Sequence, residues 1–223
     1  MMRNHARRAT RQRGWRETAL TAPLPCPGDP SLPAAPLIAA HPPAPRRRDT
    51  LDRIDALEMP VVVLLAGLTR FRAVRGLTLA VNALGNGWIY LPLVALLLLS
   101  EAPHAGAIAA ASVAATAGSH ALYAVLKRRV ARLRPFERNP SLTPLARALD
   151  RYAFPSGHCM TLAAVLGPVV HAAPACWLPA CAALLVLAWC RIAAAHHYPS
   201  DVVAGTCLGM AVAMPFALVL VPA

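Results

Sequence analysis

The chain has 223 residues, 57% of them hydrophobic and only 14% charged, against about 25% charged in ordinary soluble domains. That balance excludes a soluble domain with a polar shell and points to an integral membrane protein. The formal net charge of +12 is not a nucleic-acid signal: half the excess sits in one terminal segment, and no basic, aromatic-rich sheet pattern accompanies it.

Residues 1–50 hold nine arginines, nine prolines and three acids, with no periodic apolar pattern. They read as a disordered Arg/Pro-rich tail, and residues 51–223 as the membrane domain. The tail lacks the continuous apolar core of a cleavable signal peptide. Asp52 to Leu68 follows as a helix candidate with Asp52 as its cap. Its charges leave an uncharged stretch of only about ten residues, short of the roughly 20 that span a bilayer, so it either crosses under protein cover or lies at the interface. Leu77–Ser100 and Ala102–Leu126 are each uncharged and long enough to cross. Ser156–Cys190 is uncharged too, and Pro174 and Pro179 are expected to break it into two helices. Val202–Ala223 is the last span. The expected fold is an all-α, polytopic membrane helix bundle with five to six transmembrane helices.

Antiparallel succession of these spans brings four ends to one membrane face: the end at Lys127, the start near Ser156, the end near Arg191 and the start near Asp201. Three polar clusters far apart in sequence therefore converge. Lys127, the one lysine in the chain, supplies a point cation, and Arg134 and Arg191 supply planar forks suited to phosphoryl oxygens. Arg128, Arg129, Arg132 and Arg138 read as interface anchors. Pro155-Ser156-Gly157-His158 opens a helix, whose free N–H groups suit an anion, and a histidine beside such a site can donate a proton. In the last 72 residues the charged side chains are Arg191 and Asp201, where an ionisable group is costly unless it is paired or functional. Asp201 four residues after His197 can orient that imidazole and leave its other nitrogen free to attack. His196 fits the spacing argument nearly as well. The six cysteines show no paired metal spacing and behave as small hydrophobes. Neither a disulfide, a metal nor a cofactor is expected, since after Glu137 the acids are Asp150 and Asp201 alone.

Lys127-x6-Arg134-Pro135, then Pro155-Ser156-Gly157-His158, then Arg191-x5-His197-x3-Asp201 together resemble the three-part signature of the type 2 phosphatidic acid phosphatase family, across roughly residues 51–223. The superfamily also holds lipid phosphate phosphatases, undecaprenyl diphosphate phosphatases and vanadium haloperoxidases. The resemblance implies a metal-independent phosphatase of lipid phosphates or diphosphates. His197 would be the nucleophile that forms a phosphohistidine, Asp201 its orienting partner, and His158 the group that protonates the leaving oxygen. Lys127, Arg134, Ser156, Gly157 and Arg191 would hold the phosphoryl oxygens. It further implies a bacterial inner membrane with the site facing the periplasm, and membrane lipids rather than nucleic acid as partners. Cys190 stands where the family usually has Ser. The rival readings are a non-catalytic binder or transporter of anionic lipids using the same cations, and a vanadate-dependent haloperoxidase.

Overall fold

The structure, a computed structural model, describes residues 45–100 and 102–222; residues 1–44 of the expected tail lie outside the described residues. It is built from helices, with no strand among the described residues: α1 (Pro45–Leu68), α2 (Arg72–Leu84), α3 (Tyr90–Leu99), α4 (Ala105–Val130), the single turn α5 (Pro135–Arg138), α6 (Gly157–Ala172), α7 (Trp177–Ala193) and α8 (Pro199–Leu220). Stretches Ala105–Arg138, Pro174–Ala193 and Pro199–Leu220 are long and apolar enough to cross a membrane, while α3 and α6 are shorter apolar helices.

Two expectations change here. The helix α1 begins at Pro45, whose missing N–H suits a first helical position, so Asp52 lies inside the helix rather than capping it. The segment Leu77–Ser100, expected as one crossing, is two helices. The α2 helix stops at Leu84, and Gly85-Asn86-Gly87 turns the chain before the 10-residue α3. Gly87 takes φ +108°, open to glycine and strained for other residues. At about 1.5 Å per residue, α3 reaches only half the roughly 30 Å hydrocarbon thickness. The segment Ser156–Cys190 divides at Pro174 as expected. Pro179 instead sits in the first turn of α7, where proline disturbs no helical hydrogen bond.

The bundle buries small side chains and turns large ones outward. Ala111, Ala115, Ala163, Ala164, Ala213 and Ala217 form its centre, whereas Leu91, Leu99, Leu178, Leu185, Leu218 and Val219 are exposed. This is the pattern of helices that pack closely on one another and present bulk to lipid. The contact of α6 with α8 is the closest. A Cβ at Gly205 would run into the carbonyl oxygen of Ser156, and one at Gly209 into that of Met160. One at Gly167 would stand 2.7 Å from the Cβ of Ala213. Three glycines thus let two backbones touch, and the upper end of that contact is the start of both helices.

The Gly209→Ala variant should lower stability by about 1–3 kcal/mol, because the added methyl meets backbone that cannot yield cheaply. Gly106→Ala is the control: nothing lies within 4 Å of its Cβ position, and its thermal midpoint in detergent should hold or rise. Equal midpoints for the two variants would contradict the backbone contact.

Candidate active site

The third cluster sits where α7 ends and α8 begins. Arg191 lies in the last turn of α7, and Ala195 at φ 58° turns the chain back sharply. Pro199 opens α8, so Asp201 falls in its first turn and accepts the Tyr198 backbone N–H at 2.8 Å. His197 Nδ1 stands 3.7 Å from Asp201 Oδ2, which leaves Nε2 as the nitrogen turned away from the carboxylate. His196 is committed elsewhere: its Nε2 lies 2.8 Å from the Ala146 carbonyl oxygen, an acceptor, so that nitrogen carries the proton. Its ring also meets Phe136 edge-on. Geometry thus separates two neighbours that sequence spacing left equivalent.

The first cluster is made by the end of α4 and the extended residues after it. Ala131 at φ 49° ends the helix, and the chain then runs out to Arg134, which precedes α5. Lys127 donates to the Asp150 carboxylate and to the Tyr152 carbonyl. Arg134 donates to Asp150 Oδ1 at 2.7 Å and to the His196 carbonyl at 2.8 Å. Tyr123 donates to the other oxygen of Asp150. Burial alone would raise the Asp150 pKa, but hydrogen bonds from Lys127 and Tyr123 and the charges of Lys127 and Arg134 outweigh it and hold the carboxyl below 3.8.

The second cluster opens α6. The Ser156 backbone N–H donates to the Asp201 carbonyl at 2.9 Å, which ties the starts of α6 and α8 together. A Cβ on Gly157 would meet the Tyr123 ring at 2.7 Å, so any larger residue there would have to displace that ring from Asp150. His158 Nε2 lies 2.9 Å from Asn86 Oδ1. A pocket of about 240 Å³ opens beside it, lined by Asn86, Tyr123, Asp150, Gly157 and His158 among others.

The three cations are almost fully buried: Lys127 is 5% exposed, Arg134 1% and Arg191 4%. All three are close enough to act on His197, whose pKa lies well below 6.5, first through burial and then through Arg191, Arg134 and Lys127. His197 is therefore neutral at pH 7 and keeps a lone pair. Arg191 Nε is buried without a hydrogen-bond partner, and Ser156 Oγ faces the Cys159 thiol. A buried donor is rarely left unpartnered, and a free guanidinium N–H close to Arg134 suits an anion's oxygen.

Arg132, read from sequence as an interface anchor, is instead 2% exposed and central. Its guanidinium donates to Asp55 at 2.8 Å, to Glu58 at 2.7 Å, and to Ser200 and Asp201 at 2.6 Å each. It also lies 4.2 Å from the Tyr198 ring centroid. Arg138 is likewise paired, with Asp52 and Asp55. The signal available in the sequence was the pair Asp55 and Glu58, three apart on one face of an apolar-ending helix, which needed a buried cation. Asn82 and Asn86 carry no sequence signal of a role, and Asp150 stands out in the sequence only as one of two late acids. Asn82 accepts from Arg191 and donates to the Thr78 carbonyl. Cys190 is completely buried beside Thr78, so its thiol is occupied with α2.

Fold and site define a helical membrane protein in which four helix ends bring three buried cations around an imidazole–carboxylate pair. Residues 107–221 match the model of the PAP2 superfamily, and the chain belongs to that superfamily. Among solved structures it is similar to the first transmembrane PAP2 type phosphatidylglycerolphosphate phosphatase from Bacillus subtilis. Identity is 19% over 76% of this chain and 94% of that one, with a TM-score of 0.55, a likeness of fold. Among curated proteins nothing matches.

Two outcomes follow from the site's electrostatics. Arg132→Ala leaves the buried Asp201 without its guanidinium and Asp55 with Arg138 alone, at a cost of about 3–5 kcal/mol. Arg132→Lys should recover only part of this, since one ammonium cannot serve three carboxylates and a hydroxyl as a planar fork does. Denaturation midpoints of the two variants check it. The histidines set an acid limit on stability. His197 lies well below 6.5 and His196 near 4, lowered first by burial and then by Arg191. Below pH 6.5 the unfolded chain binds protons that the folded chain refuses, so stability falls as pH drops. A thermal midpoint unchanged from pH 7 to pH 4.5 would contradict the buried neutral imidazoles.

Proposed function

We propose that the protein is a metal-independent membrane phosphatase that hydrolyses a lipid phosphate or diphosphate through a phosphohistidine intermediate. The observation that carries this reading is the neutral His197 imidazole, backed by Asp201 at 3.7 Å and surrounded by Lys127, Arg134 and Arg191. An anion binder needs the cations alone. A neutral, carboxylate-backed imidazole among them serves attack on phosphorus.

In this reading Ser156 Oγ, the N–H groups at the start of α6, Arg191 Nε and the Lys127 and Arg134 side chains take the phosphoryl oxygens, and Gly157 gives the ligand room. His197 Nε2 attacks phosphorus in line, while Asp201 holds Nδ1–H and stabilises the charge on the ring. The Nδ1–Oδ2 separation closes to a hydrogen bond in the complex, as catalytic contacts in unliganded sites do. The P–O bond to the leaving group breaks as His158, which has taken up a proton together with the anionic substrate, gives that proton to the leaving oxygen. Neutral His158 then takes a proton from water, the hydroxide attacks phosphorus, the P–N bond breaks, and phosphate leaves with His197 restored. Charge on the transferring group is met by fixed cations and N–H dipoles. The acids near the pocket already serve cations, Asp150 Lys127 and Arg134, and Asp201 Arg132.

A lipid substrate follows from where the site lies. The cations stand at helix ends and the same helices turn Leu and Val outward, which in this reading sets the site at headgroup depth. The name of the Bacillus subtilis structure supports the same class, with phosphatidylglycerol phosphate as one candidate beside phosphatidic acid and isoprenyl diphosphates. We place the protein in a bacterial inner membrane with the pocket facing the periplasm, and treat residues 51–223 as the catalytic domain.

The purified protein should release inorganic phosphate from lipid phosphates in detergent, in the presence of EDTA, with inhibition by vanadate, which adopts five-coordinate geometry beside an imidazole. His197→Ala should abolish release and still bind vanadate, because the cations remain. Release that stops with EDTA and returns with Mg²⁺, or persists in His197→Ala, would overturn the mechanism. Because kcat/KM reports the free enzyme and His197 titrates well below 6.5, no loss assignable to its protonation should appear between pH 7 and pH 6.5.

A further inference from the structure

The turn that divides α2 from α3 lies outside residues 107–221 matched by the family model, yet it rests on the site. Gly85 packs so closely on His158 that a Cβ there would stand 2.8 Å from the imidazole Cδ2. Asn86 Oδ1 is 2.9 Å from His158 Nε2, and both residues line the pocket beside Asp150 and Gly157. One turn earlier Asn82 holds Arg191. Two asparagines four residues apart on α2 and its end therefore reach two different functional side chains. Asn82 is buried, where an asparagine costs free energy unless it is hydrogen-bonded; Asn86 is exposed at the turn, and what marks it is its contact with His158.

We propose that Asn86 is the positioning residue of His158, in the way an asparagine or aspartate orients the working histidine of a triad. This rests on the phosphatase reading above. A carboxamide oxygen only accepts, so the nitrogen facing it, Nε2, keeps its proton through the whole cycle. That fixes Nδ1 as the working nitrogen. Nδ1–H passes its proton to the leaving oxygen as the P–O bond breaks, and neutral Nδ1 takes a proton from the attacking water in the second step. The Nε2–H bond to Asn86 is neither made nor broken. Because the orienter is neutral, it fixes the ring's direction without making it a stronger base, and so keeps His158 a willing proton donor. The Gly-Asn-Gly turn is what brings the carboxamide there: a continuous helix from Leu77 to Ser100 would carry residue 86 along its own axis.

Protonation of the leaving group matters in proportion to how poor that group is, and this separates positioning from general damage. Steady-state rates are measured for wild type, Asn86→Ala, Asn86→Gln and Asn86→Asp on p-nitrophenyl phosphate, a good leaving group, and on phosphatidic acid, an alkyl one. For Asn86→Ala, kcat/KM on phosphatidic acid should fall on the order of 10-fold or more, and on p-nitrophenyl phosphate less than about 3-fold; kcat/KM is the quantity compared because it ends at departure of the leaving group, whereas the water step that follows uses His158 alike for both substrates. Asn86→Asp, which adds a negative charge beside Nε2, should move the His158 limb of the pH–rate profile upward while keeping more activity than Asn86→Ala. Equal losses on both substrates, or a pH profile unmoved in Asn86→Asp, would overturn the assignment. If Asn86→Ala does not fold, Asn86→Gln and Asn86→Asp carry the same comparison. A wild-type protein that releases phosphate from neither substrate would sink the phosphatase reading itself, an outcome distinct from an active wild type with an indifferent Asn86.

Discussion

The site depends on one steric fact, the near contact of the α6 and α8 backbones. Gly205 and Gly209 leave no side chain between them and the carbonyls of Ser156 and Met160. The Ser156 N–H can therefore donate to the Asp201 carbonyl at 2.9 Å. That bond sets the serine and histidine of one cluster beside the imidazole–carboxylate pair of another. In a membrane there is little hydrophobic force between helices, so close packing of small residues and interhelical hydrogen bonds must supply the association. The alanine-rich centre and leucine-rich exterior are the same constraint seen across the whole bundle.

Charge is arranged around that contact in two layers. Lys127, Arg134 and Arg191 act on His197 and keep it neutral. Asp150 ties Lys127 and Arg134 together from the pocket side. Behind the pocket, Arg132 joins Asp55 and Glu58 of α1 to Asp201 of α8. Breaking such a buried network is costlier than its net contribution to stability, because each removal strands an opposite charge. The carboxylate that backs the imidazole is thus itself held by Arg132 on one oxygen and by the Tyr198 N–H on the other. Its direction is fixed from outside the site.

The α2 helix and the turn after it supply a second support, made of uncharged groups. Asn82 meets Arg191 and Asn86 meets His158, and Cys190 lies beside Thr78. The thiol in place of the usual serine is therefore matched by a neighbour on α2. The α2 helix and its turn carry no part of the three-part signature, yet they contact three residues in or next to it, Arg191, His158 and Cys190.

Some of this was legible in the sequence because it depends on local chemistry. Long uncharged stretches in a chain with 14% charged residues define membrane helices, and alternating direction brings their polar ends to one face. Pro199 before Asp201 and Pro155 before Ser156 mark helix starts, and both helices begin there. The structure decided what depends on distance through space. His196 and His197 differ by one residue in sequence, but one ring turns to Ala146 and the other to Asp201. Arg132 looked like its basic neighbours until Asp55 was brought to it from 77 residues away. The Leu77–Ser100 segment looked continuous because hydropathy averages over a window, while a Gly-Asn-Gly turn is decided by three residues and by the histidine it packs against. Composition settles which solvent a helix accepts; only the packed backbone settles which side chain answers another.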